Sequence, residues 1–168
     1  SSTTGYTSRS YLSFSDFYEQ KVEVPYQVQV GNYVQLQAKL KYSQKDVDMM
    51  AKNLYFEYRN EKASDIEIAQ IGYVVLNRLK SKGFPNTIPD VIWQPSQFSW
   101  THDGKSDKMT DRDAKERAER IAKAVLEGTI PNRIGKANHY LNKRISKASW
   151  WKDMKFVAKF GEHSYYEY

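Results

Sequence analysis

Ser43-Gln-Lys-Asp46-Val-Asp-Met-Met50-Ala-Lys-Asn-Leu54-Tyr-Phe-Glu57-Tyr58 is the stretch on which the fold turns. Ser43 and Asp46 form a capping-box-like start. Val47, Met50, Ala51, Leu54, Tyr55 and Tyr58 then recur at helical spacing, which predicts an amphipathic helix laid on a core. Projected around a helix, Glu57 follows Leu54 and Met50 and falls on the edge of that apolar face. A carboxylate there is partly desolvated, and in a last helical turn the negative end of the macrodipole opposes its ionisation. Both effects raise its pKa, and a carboxyl that stays protonated near neutrality is what a general acid needs. The competing reading is an exposed carboxylate at a helix end, paired with Arg59 or Lys62. Position alone leaves both open.

Downstream, Ser64-Asp-Ile-Glu67 is a second capping box. Ile66, Ala69, Ile71, Tyr73, Val74, Val75, Leu76 and Leu79 follow, apolar almost all round, so this helix is expected at the buried centre, stopping near Gly83. Pro85 to Trp93 predicts a short helix with Pro89 in its first turn. Gln94 to Lys108 lacks periodicity and is expected to be a loop. Thr110-Asp-Arg-Asp113 caps a third long helix with Ala114, Ala118, Ile121, Ala122, Val125 and Leu126 on its stripe and Gly128 as its stop. The aromatic tail, from His139-Tyr140 to Tyr165-Tyr166, reads as irregular. Upstream, Val22, Val24, Tyr26, Val28 and Val30, then Val34, Leu36, Ala38 and Leu40, alternate with polar residues around Gly31-Asn32. That is a β-hairpin pattern, with Pro25 marking an edge strand and Ser1 to Ser10 a flexible arm. The fold class expected is mainly α (α+β). Residues 1–42 are expected to form an extended arm and hairpin packed on a core domain at 43–168.

The 168 residues carry 26 Lys and Arg against 20 Asp and Glu, a net charge of +6, which favours an anionic polymer as partner without saying which. Thirteen tyrosines and four tryptophans fit shallow polar grooves where rings stack. The absence of cysteine excludes disulfides, thiolate metal sites and cysteine nucleophiles. No apolar run approaches the roughly 20 residues of a bilayer span, and no signal peptide is visible.

Ala51-Lys-Asn-Leu-Tyr-Phe-Glu57-Tyr-Arg59-Asn-Glu61 resembles the Glu-x-Arg-Gly-Glu segment of the SleB-like family of spore-cortex-lytic and phage cell-wall hydrolases. Further blocks fall in that family's order: Gly72 to Arg78, Phe84 to Ile88, Val91 to Gln94, Gln97 to Thr101, His139-Tyr140 and Gly161-Glu-His163. The resemblance runs from about Ser43 to Tyr166. Asn60 replaces the usual Gly, a mild change because Asn tolerates a left-handed turn. The stretch from Glu61 to Asn77 is longer than the common pattern, which blurs the roles of Asp65 and Glu67. Taken whole, the chain is also similar to the virion lytic enzymes of enveloped double-stranded-RNA phages of the phi6 type.

The resemblance implies a lysozyme-like helical fold with Glu57 as the catalytic acid. It implies action on the MurNAc-GlcNAc bond of bacterial peptidoglycan by a lytic transglycosylase or muramidase, with no cofactor and no metal. Glu61 is then a candidate second carboxylate or a loop-ordering residue. Gln97, Phe98, Ser99 and Trp100 combine amide, hydroxyl and ring groups that fit an N-acetyl sugar, the alternative for Phe98 and Trp100 being core packing. Asn77 and Arg78, at the end of the buried helix, are candidates to brace the site, the alternative for Arg78 being to cap carbonyls or pair with a carboxylate, and Asn77 joins the substrate-binding candidates together with His139 and Tyr140, placed across the groove from Glu57. The partners expected are peptidoglycan and, through the N-terminal segment, other virion proteins, with no nucleic acid and no membrane span. The location expected is the virion or the host periplasm. Two rivals stand beside this reading. A zinc endopeptidase would need about three His or carboxylate ligands, but His102, His139 and His163 form no close ligand pair. A basic aromatic module would bind nucleic acid through clusters such as Lys143-Arg144 with Trp150-Trp151-Lys152.

Overall fold

The computed structural model describes residues 26–30, 33–37, 41–94 and 97–168. Strands Tyr26–Val30 (β1) and Tyr33–Gln37 (β2) pair antiparallel with Val30 opposite Tyr33, as period-two alternation predicts. The Ser1 to Ser10 arm, Pro25, the Gly31-Asn32 turn and the outer ends of both predicted strands lie outside the described residues.

Helix α1 (Gln44–Glu57) starts at the Ser43 capping box, in which the Asp46 carboxylate accepts from the Ser43 backbone N–H at 3.0 Å. It buries Val47, Met50, Ala51, Leu54 and Tyr55. Helix α2 (Asp65–Leu79) follows the N-cap Ser64 and is buried along most of its length, as its all-round apolar pattern requires. It ends at Leu79, short of Gly83: the Lys80 and Ser81 N–H groups bond carbonyls three residues back, Asn77 at 3.3 Å and Arg78 at 3.1 Å, and tighten the last turn. Helix α3 (Ile88–Trp93) is capped by Thr87 with Pro89 in its first turn. Helix α4 (Arg112–Glu127) is capped by Asp111 and closed by Gly128 at φ 77°, a left-handed position that suits glycine. Close packing joins α2 to α4: a Cβ on Gly72 would stand 3.2 Å from both Val125 methyls. The stretch expected to be a loop holds one short 3-10 turn, Ser99–His102.

The aromatic tail is not irregular. Strands β3 (His139–Leu141), β4 (Lys155–Phe160) and β5 (His163–Glu167) form an antiparallel sheet in the order β3-β5-β4. Phe160 pairs with His163 around the two-residue loop Gly161-Glu162. A glycine-led two-residue loop is a hairpin signal, and Gly161 takes φ 56°. A bulge at Val157 breaks the alternation of β4, and that break hides the strand from a period-two reading. The result is a mainly helical core with a small sheet laid across its end.

Candidate active site

Glu57 is the last residue of α1, and Tyr58 N–H still closes on the Leu54 carbonyl at 3.0 Å. Its carboxyl is half-buried, and the Tyr140 hydroxyl donates to Glu57 Oε1. Tyr140 comes from β3 and completes the pairing of acid and aromatic that neither segment makes alone. Burial raises the Glu57 pKa above the ordinary carboxyl range, while the Tyr140 hydrogen bond and then the positive charge of Arg78 pull it back. The Tyr140 hydroxyl is itself pushed well above its usual value, by burial first and then by the Glu57 charge, so it stays a donor. Arg78 is 3% exposed, and burial lowers its pKa to about 10, which leaves it a cation at neutrality. The guanidinium lies 4.9 Å from the Phe84 ring centroid and 5.2 Å from that of Phe98. Its Nε donates to the Asn138 carbonyl at 2.8 Å.

The end of α2 therefore holds the chain that carries Tyr140. Asn77 Nδ2 donates to the Gly135 carbonyl at 2.9 Å and to the Ala137 carbonyl at 2.8 Å. Asn138 Nδ2 reaches back to Ser81 Oγ at 3.1 Å. Asn77 and Arg78 thus both bond backbone carbonyls of the 135–138 segment, the alternative read for Arg78. The substrate-facing role expected of Asn77 is not visible here, because the side chain is buried and both amide hydrogens are spent on backbone carbonyls.

Other candidates separate into groups. Phe98 is buried against Arg78. Trp100 is buried too, stacks on Phe56 at 5.2 Å and donates its indole N–H to Asn53 Oδ1 at 2.7 Å. Of the two readings open for them, sugar contact and core packing, both side chains take core packing. Asn53, a polar residue on the apolar stripe of α1, was the unread signal for that contact. Gln97 is half-buried and Ser99 exposed. Glu61 is exposed in the turn after α1, on the wall of a cavity of about 820 Å³ shared with Arg59, Asp111 and Asp113, a wall on which Glu57 has no part.

Asp65 and Glu67 have different partners. Asp65 pairs with Arg117 at 3.0 Å and Arg120 at 2.6 Å, ties that fasten α2 to α4. Glu67 accepts from the Tyr58 hydroxyl at 3.2 Å. The Tyr58 ring stands edge-on to His163 at 4.5 Å, and His163 in turn to Tyr140 at 5.3 Å, an aromatic bridge between the two carboxylates. His139 points away from Tyr140, as consecutive strand residues must. Its Nδ1–H donates to Asn138 Oδ1 at 2.8 Å, its ring meets Phe84, Trp150 and Tyr168, and burial lowers its pKa to about 4. Among the described residues no three His or carboxylate side chains gather as a ligand set.

The family model described as Cell Wall Hydrolase matches residues 64–166. The spore cortex-lytic enzyme of Bacillus cereus is 33% identical over 125 residues, 73% of this chain and 44% of that enzyme. Its counterpart in Halalkalibacterium halodurans is 30% identical over 122 residues, 73% of this chain and 34% of that enzyme. The chain thus spans less than half the length of these curated relatives. Among solved structures, the catalytic domain of the germination-specific lytic transglycosylase SleB from Bacillus anthracis superposes with a TM-score of 0.63 at 30% identity, over 75% of this chain and 97% of that one. The catalytic domain of the Bacillus cereus SleB protein gives 0.61 at 26% identity, over 76% and 93%. The family match begins after Glu57, but a match of 125 residues cannot fit behind residue 64 of a 168-residue chain and so takes in α1.

Proposed function

The chain belongs to the cell wall hydrolase family, and on that premise we propose that it cleaves the glycan backbone of bacterial peptidoglycan with Glu57 as its single general acid and base. The observation that carries this reading is the Glu57 carboxyl itself, half-buried at a helix end, bonded by Tyr140 and held with a raised pKa. In the first step the Glu57 proton passes to the bridging oxygen as the bond from C1 of the MurNAc unit breaks. The carboxylate then takes the proton of that sugar's own 6-hydroxyl, whose oxygen closes on C1. Glu57 ends protonated as it began, the product ends in 1,6-anhydro-MurNAc, and no water is consumed. Two carboxylates are the common arrangement in glycosidases. The exposure of Glu61 and the engagement of Glu67 with Tyr58 favour a mechanism with one. The setting we infer, from the resemblance to virion lytic enzymes, is breach of a bacterial host wall.

Mass spectrometry of a digest of purified peptidoglycan tests the bond and the chemistry together. Anhydro ends are expected; reducing ends would mean that water attacks instead, and free amines on intact glycan would move the activity to the peptide cross-bridge. Glu57→Gln keeps the shape and removes the proton, and it is expected to lower the rate by about a thousandfold, the scale of general acid catalysis. Near-normal release of products by that variant would place the acid elsewhere.

A further inference from the structure

The small sheet has a second face. Tyr140 turns inward to Glu57, so its neighbour His139 turns outward. The register sets His139, Tyr166 and Phe156 in one row across the three strands. Around the Tyr166 ring stand Phe156 at 5.7 Å and Trp150 and Trp151 at 6.1 Å, and the Lys143 ammonium lies 5.7 Å from the same centroid. Tyr166 is covered by this company, but the outer rings stay open, with Trp150 37% and Phe156 53% exposed. Lys143 Nζ sits 4.0 Å over Trp151, and Lys152 lies 5.8 Å from the same ring. From residue 143 to 167 six Lys and Arg outnumber three Asp and Glu, so the surface is cationic as well as aromatic.

Such a platform has a chemistry of its own. Aromatic faces stack against the C–H faces of pyranose rings, and ammonium groups beside them pair with carboxylates. A polymer with both features is a glycan strand that carries acidic peptides. Strand β3 links the two faces, because it presents Tyr140 to Glu57 on one side and His139 to the platform on the other. A long strand held on the platform keeps its neighbouring bonds at high effective concentration near the carboxyl.

We propose that the outer face of the β3-β5-β4 sheet, centred on Trp150, Phe156, Lys143 and Lys152, is a second contact surface for peptidoglycan, separate from the site of cleavage. This rests on the proposed peptidoglycan activity and extends it from the cut bond to retention on the polymer.

The test uses the full chain with Glu57→Gln, so that the polymer stays intact, in sedimentation with purified sacculi at about 50 mM salt, where charge contacts are weakly screened. Added Trp150→Ala and Phe156→Ala are expected to weaken retention about tenfold, the scale of losing two stacked rings. Lys143→Ala with Lys152→Ala, which leaves the rings in place, is expected to weaken it and to flatten its salt dependence. With Glu57 restored, the same variants are expected to cut soluble glycan oligomers at the wild-type rate. Thermal unfolding checks each variant, and the lysine pair decides the question if the ring pair unfolds. Unchanged retention in folded variants overturns the proposal. So does face-dependent binding to phosphatidylglycerol vesicles in place of sacculi, which assigns the surface to a membrane. Face-dependent retention by a chain whose wild type digests no peptidoglycan would instead overturn the proposed cleavage and leave the contact surface standing.

Discussion

At Glu57 opposing influences act on one proton. Burial favours the neutral acid, while the Tyr140 hydroxyl and the Arg78 charge favour the carboxylate. An acid that must give a proton and then take one back works best when neither form is strongly preferred. Tyr140→Phe removes one of the two influences that lower the pKa, so the pKa of Glu57 rises further. A general acid acts protonated, so the basic limb of the kcat/KM profile is expected to move to higher pH in this variant. The rate at the optimum should fall by about tenfold, the scale of one lost hydrogen bond to a charged group. A profile unmoved along the pH axis would mean that Tyr140 does not touch the acid in solution. Local sequence reading placed Glu57 on the right face of its helix, because helical periodicity is a property of neighbouring residues. It could not distinguish His139 from Tyr140 as the partner, since that choice depends on which face of β3 meets the core.

At the scale of elements, the β4-β5 hairpin depends on Gly161. Its φ of 56° lies in the left-handed region, where a side chain is strained, and a Cβ there would also collide with the Glu67 carboxylate and stand 3.0 Å from the Tyr58 hydroxyl. Gly161→Ala is therefore expected to destabilise the protein by about 1–3 kcal/mol in chemical denaturation. It should also disturb Tyr58 and His163, with chemical-shift changes reaching Tyr140 through the His163 ring. A stability within a few tenths of a kcal/mol of wild type would show that the hairpin tolerates another turn. The helices were legible because their caps and stripes are local: Ser43 and Ser64 stand as N-caps as read, and Asp111 caps α4 from within the Thr110–Asp113 segment, whereas the short α3 starts at the N-cap Thr87 and not at Pro85. The sheet was not, because β3 is short, β4 carries a bulge and β5 is buried almost throughout, so none of them shows clean alternation.

For the whole molecule, the family match at 64–166 leaves α1 outside, yet α1 buries Val47, Met50, Ala51, Leu54 and Tyr55 in the common core. Each of these larger side chains contributes about 1.5–3 kcal/mol on burial, and their sum rivals the entire stability of a typical domain, about 5–15 kcal/mol. A fragment of residues 64–168 is accordingly expected to be unfolded, with collapsed amide dispersion in a proton–nitrogen correlation spectrum, whereas 41–168 retains the core. A well-dispersed spectrum from the shorter fragment would show that α1 docks on a domain already formed. The sequence by itself determined the helical layout, the hairpin signature of β1 and β2, the family blocks and the position of Glu57 on its helix, because caps, periodicity and ordered motifs lie within a few residues of one another or keep their order along the chain. Only the tertiary structure decided that Tyr140, 83 residues away, meets that carboxyl. It alone put the buried Arg78 cation within electrostatic reach of the same group, spent Asn77 on the backbone and sank Phe98 and Trp100 into the core. The Tyr140, Arg78 and Asn77 contacts follow from how α2 and the sheet pack across each other, and the place of Trp100 from its contacts with Asn53 and Phe56 of α1; no spacing along the chain encodes either.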